Sequence, residues 1–148
     1  MLASDVAKIP FFYDVTGEDL DKLAKILTHQ KFTNDQIIFK EGDEQTGMFF
    51  ILEGDVQILK KNNKGKQELL TVLCAPQIFG EMALIDRGRR SASVIAQTEI
   101  LTAELTREDF ENFMREEPDL AVHIIRKIAH TLSLRLRKVS ASYANVIN

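Results

Sequence analysis

Between residues 31 and 106 the apolar residues fall in short runs, rich in β-branched and aromatic side chains and cut by turn residues. Runs of this kind read as β-strands. Gln36 to Lys40 is one, ended by Glu41-Gly42-Asp43. Met48 to Leu52 is the next, ended by Glu53-Gly54-Asp55. Val56 to Lys60 and Gln67 to Leu73 flank Asn62-Asn63-Lys64-Gly65, a hairpin signal. Ser93 to Ala96 and Ile100 to Leu105 complete the set. Short, closely spaced strands with glycine turns and no helices between them predict an antiparallel β-roll or jelly-roll barrel over about 30–106. No repeat at a fixed period accompanies them.

Helical spacing brackets this region. Thr16-Gly17-Glu18-Asp19 has the form of a capping box, and Leu20, Leu23, Ala24 and Leu27 then share one helical face, so a helix is expected from Gly17 to Leu27. Phe11, Phe12 and Tyr13 ahead of it are expected to pack as a hydrophobic plug. Thr106-Arg107-Glu108-Asp109 is a second capping box, leading into a helix that carries Phe110, Phe113 and Met114. Pro118 suits the first turn of another helix. No proline or glycine follows from Asp119 to Val146. That helix would be about 40 Å long at 1.5 Å per residue. On it Ile125, Ala129, Leu132, Leu136, Val139, Tyr143 and Val146 are spaced 4-3-4-3-4-3, a heptad seam that predicts a parallel homodimer. Leu120, Ile124, Ile128 and Leu134 form a second apolar set off the seam. The helix can therefore face its own roll early and a partner later. A long helix packed wholly within one chain is the competing arrangement.

The chain of 148 residues is expected to be a single domain of the α+β class, mainly β. A net charge of -3 argues against a generic nucleic-acid binder. The charge is uneven, with net +4 from Pro118 onward and −7 before it. A solvated helix face accounts for the basic segment. A single cysteine, Cys74, excludes an internal disulfide and fits a reducing, cytoplasmic compartment. The N-terminal MLASDVAKIP has no long apolar run, so no signal peptide is expected. No segment approaches the roughly 20 apolar residues of a membrane span. His29, His123 and His130 stand in no spacing with an acid and a nucleophile, so no catalysis and no metal are expected. His123 and His130, seven apart on one helix face, read as surface histidines rather than a metal pair across a dimer.

The chemistry concentrates in Phe79 to Val94, FGEMALIDRGRRSASV. Gly80 permits a tight backbone or close ligand approach. Glu81 offers two acceptor oxygens. Arg89 and Arg90 offer guanidinium forks that fit a phosphate. Ser91, Ala92 and Ser93 are small enough to let an anion reach the main chain. One carboxylate and one guanidinium suit a ligand with hydroxyls and a phosphate. In a strand-like backbone Arg89 and Arg90 point to opposite sides, so one of them faces solvent.

This stretch resembles the phosphate-binding cassette of cyclic nucleotide-binding domains, the family of the catabolite activator protein, protein kinase A regulatory subunits and cyclic-nucleotide-gated channels. KEGDEQTGMFFILEGDVQILK resembles the family's second-to-fourth strand region, and LTAELTREDFENFMREEPDLAVHIIRKIAHTLSLRLRKVS its last strand and following helices. The likeness runs from about Pro10 to Val146. It implies a short cassette helix, Glu81 on the ribose 2'-hydroxyl and Arg90 on the cyclic phosphate. Main-chain amides of Gly80, Met82, Ala83, Ser91 and Ala92 would complete the phosphate shell, with Arg89 left in solvent. The ligand that the resemblance implies is a cyclic nucleotide, and Ser91 inclines it to cyclic AMP over cyclic GMP. Val72 and Leu73 would line one side of the base, and Arg135, Val139 or Ser140 of the long helix would cap it. Pro76-Gln77 stands where the family usually has Gly-Asp, which should alter the turn rather than the pocket. The implied role is regulatory: ligand repositions the C-terminal helices. The short loop Ile85 to Arg90 and the heptad favour a bacterial regulator type. No helix-turn-helix lies within the chain, so specific DNA binding by this chain alone is not expected. A free-standing receptor and a ligand-free dimerisation module are the alternatives. A cupin-type enzyme would need clustered histidines that the strand region lacks.

Overall fold

A computed structural model describes residues 1–147. The chain divides into two compact units, Met1 to Asn112 and Phe113 onward. The first unit opens with helix α1 (Ala3–Ala7), a 3-10 turn (Pro10–Phe12) and helix α2 (Glu18–Ala24). Eight strands follow: β1 (Leu27–Phe32), β2 (Ile37–Phe39), β3 (Gly47–Glu53), β4 (Asp55–Lys61), β5 (Gln67–Cys74), β6 (Ile78–Phe79), β7 (Ser93–Ala96) and β8 (Ile100–Thr106). A 3-10 turn at Glu81–Leu84 lies between β6 and β7. Helices α3 (Arg107–Glu116) and α4 (Pro118–Ile147) end the chain.

The strands form two antiparallel four-stranded sheets, ordered β1-β8-β3-β6 and β2-β7-β4-β5. The predicted mainly-β roll is therefore the fold observed. Its interior is a cluster of Phe49, Ile51, Val56, Leu73, Phe79, Val94, Ala96 and Ile100. β3 is buried on both faces, because successive side chains alternate. Phe49 and Ile51 point into the roll, whereas the Phe50 ring meets Phe11 and Phe12 at 5.2 and 5.1 Å. The predicted plug thus holds for Phe11 and Phe12 but not for Tyr13, which is 67% exposed. The β4–β5 hairpin closes on Asn62, whose Oδ1 accepts from the Lys64 and Lys66 amides at 2.9 and 3.0 Å.

Several boundaries differ from expectation. Thr16 does not cap α2. Gly17 holds the N-cap place, at φ 60 and ψ -134, and no side chain bonds the free amides there. That backbone shape is open to glycine and strained for other residues. At α3 the expected cap does form, with Thr106 Oγ1 accepting from the Asp109 amide at 3.1 Å. β1 begins three residues before the predicted roll and buries little beyond Leu27, so no apolar alternation announces it. The Ala75–Pro76 peptide in the unusual Pro76-Gln77 turn is cis.

In the second unit α4 changes character along its length. Ala121, Ile124 and Ile128 are buried. Farther on, Leu134, Leu136, Val139, Tyr143 and Val146 are all at least half exposed. Within the seam Ile125 and Leu132 are half-buried and Ala129 is exposed. Among the described residues no helix is long and apolar enough to cross a membrane.

Candidate functional site

Residues 80–92 form a loop pinned at three places. Gly80 has the left-handed conformation, φ 73 and ψ 15, and starts the 3-10 turn that carries Glu81, Met82 and Ala83. A side chain at Gly80 has no room. Its Cβ would stand 2.8 Å from Arg90 Nη1 and 3.2 Å from the Gly47 carbonyl oxygen. Gly80→Ala is accordingly expected to cost about 1–3 kcal/mol through overpacking, read as a lower urea midpoint with unchanged slope.

The far end of the turn is held by Arg107, whose Nε donates to the Ala83 carbonyl at 2.7 Å and whose Nη2 donates to the Asp86 carbonyl. Residues 85–90 are held by Gln45. Its buried amide nitrogen donates to Asp86 Oδ1 at 2.8 Å and to the Gly88 carbonyl at 2.7 Å. Arg90 is fixed through its backbone: its amide donates to the Asp43 carbonyl, and the Gly42 amide donates to the Arg90 carbonyl, both at 2.8 Å.

This pinning separates the two arginines. Arg89 is exposed and donates through Nη1 to the Gly42 carbonyl at 3.2 Å. Arg90 is 5% exposed. Its Nη2 donates to the Gly47 carbonyl at 2.8 Å and its Nη1 to the Gly80 carbonyl at 3.3 Å. The guanidinium carbon lies 3.9 Å from the centroid of the Phe39 ring. Among the described residues, Arg90 Nε is buried with no hydrogen-bond partner. Burial lowers the Arg90 pKa to about 10, opposed by the carboxylates of Glu104 and Asp43, so the group stays cationic at neutral pH. A buried guanidinium with an unused N–H is set up to meet an anion.

Glu81 is 8% exposed, Ala83 is fully buried and Met82 is 38% exposed. Ser91 is exposed and Ala92 half-buried. Among the described residues, no acceptor is found for the main-chain amides of Met82, Ser91 and Ala92. The Arg90–Gly80 bond joins the two ends of the cassette, so Gly80, Glu81, Met82 and Ala83 stand at one place with Arg90, Ser91 and Ala92. The rim beside Ser91 is held by Lys60, whose Nζ donates to the Ser91 carbonyl at 2.6 Å and to Glu41 Oε2 at 3.3 Å. The Lys61 amide, donating to the Glu41 carboxylate, lowers its pKa, with Lys60 adding to the effect.

The residues expected around the base are more dispersed. Leu73 lies in the roll interior, whereas Val72 is 40% exposed. Successive residues of a strand face opposite sides, so the pleat splits this pair. Arg135, Val139 and Ser140 lie on α4, in the second unit. Sequence reasoning missed Phe39, Gly47, Gln45 and Arg107 around the cassette. All four reach it from distant positions, and no local spacing signals that.

Glu104 is a second perturbed group near Arg90. Burial raises its pKa, and the Arg90 charge only partly offsets this. The folded state therefore holds the Glu104 proton more tightly than the unfolded chain. That contribution to stability is full below the ordinary carboxylate range and is lost as pH rises through the raised value. Subtracting the Glu104→Gln unfolding profile from wild type should leave a term that falls with rising pH across this window. A flat difference would remove Glu104 as the source.

The chain is similar to several known proteins. A CRP-like cAMP-activated global transcriptional regulator of Mycobacterium tuberculosis is 25% identical over 142 residues, covering 96% of this chain and 62% of that protein. The cyclic AMP receptor protein of Thermus thermophilus is 30% identical over 129 residues, covering 87% of this chain and 58% of that protein. The chain thus spans about three-fifths of the length of these relatives. A crystal structure of a cyclic nucleotide-binding domain from Methylobacillus flagellatus KT matches with a TM-score of 0.80 at 28% identity, over 92% of this chain and 76% of that one. The family profile "Cyclic nucleotide-binding domain" matches residues 29–117, well over half of the sequence, and the chain belongs to that family.

Proposed function

We propose that this domain senses a cyclic nucleotide, cyclic AMP in preference to cyclic GMP, and passes its occupancy to the C-terminal helices. The observation that carries the reading is Arg90: a buried guanidinium with an unpartnered Nε, at the foot of a loop that also buries Glu81. Arg90 would take the cyclic phosphate through a charge-assisted bond. The amides of Met82, Ser91 and Ala92 would take further phosphate oxygens, and Glu81 would accept from the ribose 2'-hydroxyl. Leu73 offers an apolar contact to the base, and Arg135, Val139 and Ser140 are the capping candidates. The preference for cyclic AMP rests on Ser91 and on the named ligands of the two regulator relatives. Ligand then shifts an equilibrium between placements of α3 and α4 to the extent that it binds one placement better. The domain is a regulator rather than an enzyme.

Isothermal titration with cyclic AMP and cyclic GMP tests this directly. Saturable heat with cyclic AMP, weaker with cyclic GMP, is expected. No heat with either at high concentration would leave the chain as a dimerisation module of the same fold.

The same reading assigns a parallel homodimer to α4. Leu136, Val139 and Tyr143 are 66%, 64% and 65% exposed and continue one heptad stripe. Leu132→Asp combined with Leu136→Asp is expected to yield a folded monomer by light scattering, where the wild type gives a dimer.

A further inference from the structure

We infer that Phe39 is a positioning residue for anion recognition at this site, acting through Arg90. The inference rests on the cyclic nucleotide reading and adds a residue to it. Three observations converge on the ring. The Arg90 guanidinium carbon is 3.9 Å from the ring centroid, inside the range of a cation–π contact. A Cβ built on Gly80 would lie 3.4 Å from Phe39 Cε2 and 2.8 Å from Arg90 Nη1, so ring, guanidinium and cassette backbone are in mutual contact. The ring is itself held by Phe49 and Phe79, at centroid distances of 6.3 and 6.0 Å.

β2 is built to deliver the ring there. Ile37 pairs with Ile95 and Phe39 with Val94, so β2 advances two residues while β7 advances one. Such a bulge re-aims side chains. Its effect is visible in Ile38 and Phe39, which are consecutive yet both pack on the roll interior, while Ile37 is 47% exposed. A regular strand would send Ile38 and Phe39 to opposite faces.

The ring covers one face of the guanidinium, and the Gly47 and Gly80 carbonyls take its two outer nitrogens. Among the described residues that leaves Nε as the guanidinium nitrogen with no hydrogen-bond partner. Phe39 thereby replaces water on the cation without consuming a donor. The arginine is held desolvated, in one orientation, before an anion arrives. An aliphatic residue of similar size would fill the space but would not attract the cation.

The test uses the whole chain and compares Phe39→Leu, Phe39→Met and Phe39→Tyr with wild type. Cyclic AMP affinity is measured by titration calorimetry, and the Arg90 Nε–H resonance by NMR. Leucine and methionine at this position are expected to weaken cyclic AMP about tenfold. They should also move the Arg90 Nε–H signal out of the upfield position that a ring face imposes. Tyrosine, which keeps the π face, should restore both to near wild-type values. Methionine guards against a leucine variant that fails to fold. Wild-type affinity in folded Phe39→Leu or Phe39→Met would overturn the inference, as would an unmoved Arg90 signal or a tyrosine variant as weak as leucine. Wild-type protein that binds neither cyclic AMP nor cyclic GMP overturns the cyclic nucleotide reading itself, a result distinct from all of these.

Discussion

Arg90→Leu is expected to weaken cyclic nucleotide binding by about 2–5 kcal/mol, the range for truncating one partner of a buried hydrogen-bonded charge pair. Titration calorimetry reads the loss, and circular dichroism checks that the domain still folds. The effect is large because Arg90 is held where water cannot replace it. The residue is 5% exposed, and two carbonyls and an aromatic ring fix the guanidinium. A ligand phosphate facing leucine would lose its bond and gain no solvent in return. Arg89→Leu is the matched control. Arg89 is exposed and bonds one carbonyl at 3.2 Å, so its loss should change affinity little. Normal binding in Arg90→Leu together with lost binding in Arg89→Leu would move the phosphate contact to the neighbouring residue.

Phe50→Ala is expected to destabilise the domain by about 3–5 kcal/mol, the usual cost of truncating a buried phenylalanine. Phe50 is 1% exposed and its ring meets those of Phe11 and Phe12 at 5.2 and 5.1 Å. Phe12 is fully buried as well. Truncation would leave a cavity between the N-terminal segment and β3, which this aromatic trio joins. Typical domains hold about 5–15 kcal/mol in all, so the urea midpoint should fall steeply. A loss below about 1 kcal/mol would mean that the N-terminal segment packs independently of β3.

How legible was this protein in its sequence? The central strands were plain, because β3, β4 and β7 each bury apolar side chains and glycines end the turns around them. β1 was not, since an edge strand with the pattern Beeeei buries almost nothing and so carries no periodic signal. The cassette was legible as a motif, since its residues are contiguous and its chemistry is compact. Which of its two arginines is buried was left open by the residues themselves. A pair of adjacent arginines carries no internal sign of which one a fold will cover. The resemblance to cyclic nucleotide-binding domains favoured Arg90, and the burial of Arg90 is what the structure adds.

The amino-acid pattern alone determined the mainly-β roll, the long final helix with its heptad stripe, and the position of a glutamate and an arginine pair in one loop. These are local properties, set by spacing of 2 or 3.6 residues and by glycine at turns. The tertiary structure decided what depends on distant residues meeting. It placed Arg90 against the Gly47 carbonyl and the Phe39 ring, and tied the cassette to Arg107 and Gln45. The Arg107 bond to Ala83 joins residues 24 positions apart, and the contacts of Arg90 with Gly47 and Phe39 and of Gln45 with Gly88 each span more than 40. Chain separation on that scale leaves no periodic trace, because the partners are selected by sheet pairing and burial rather than by their neighbours in sequence.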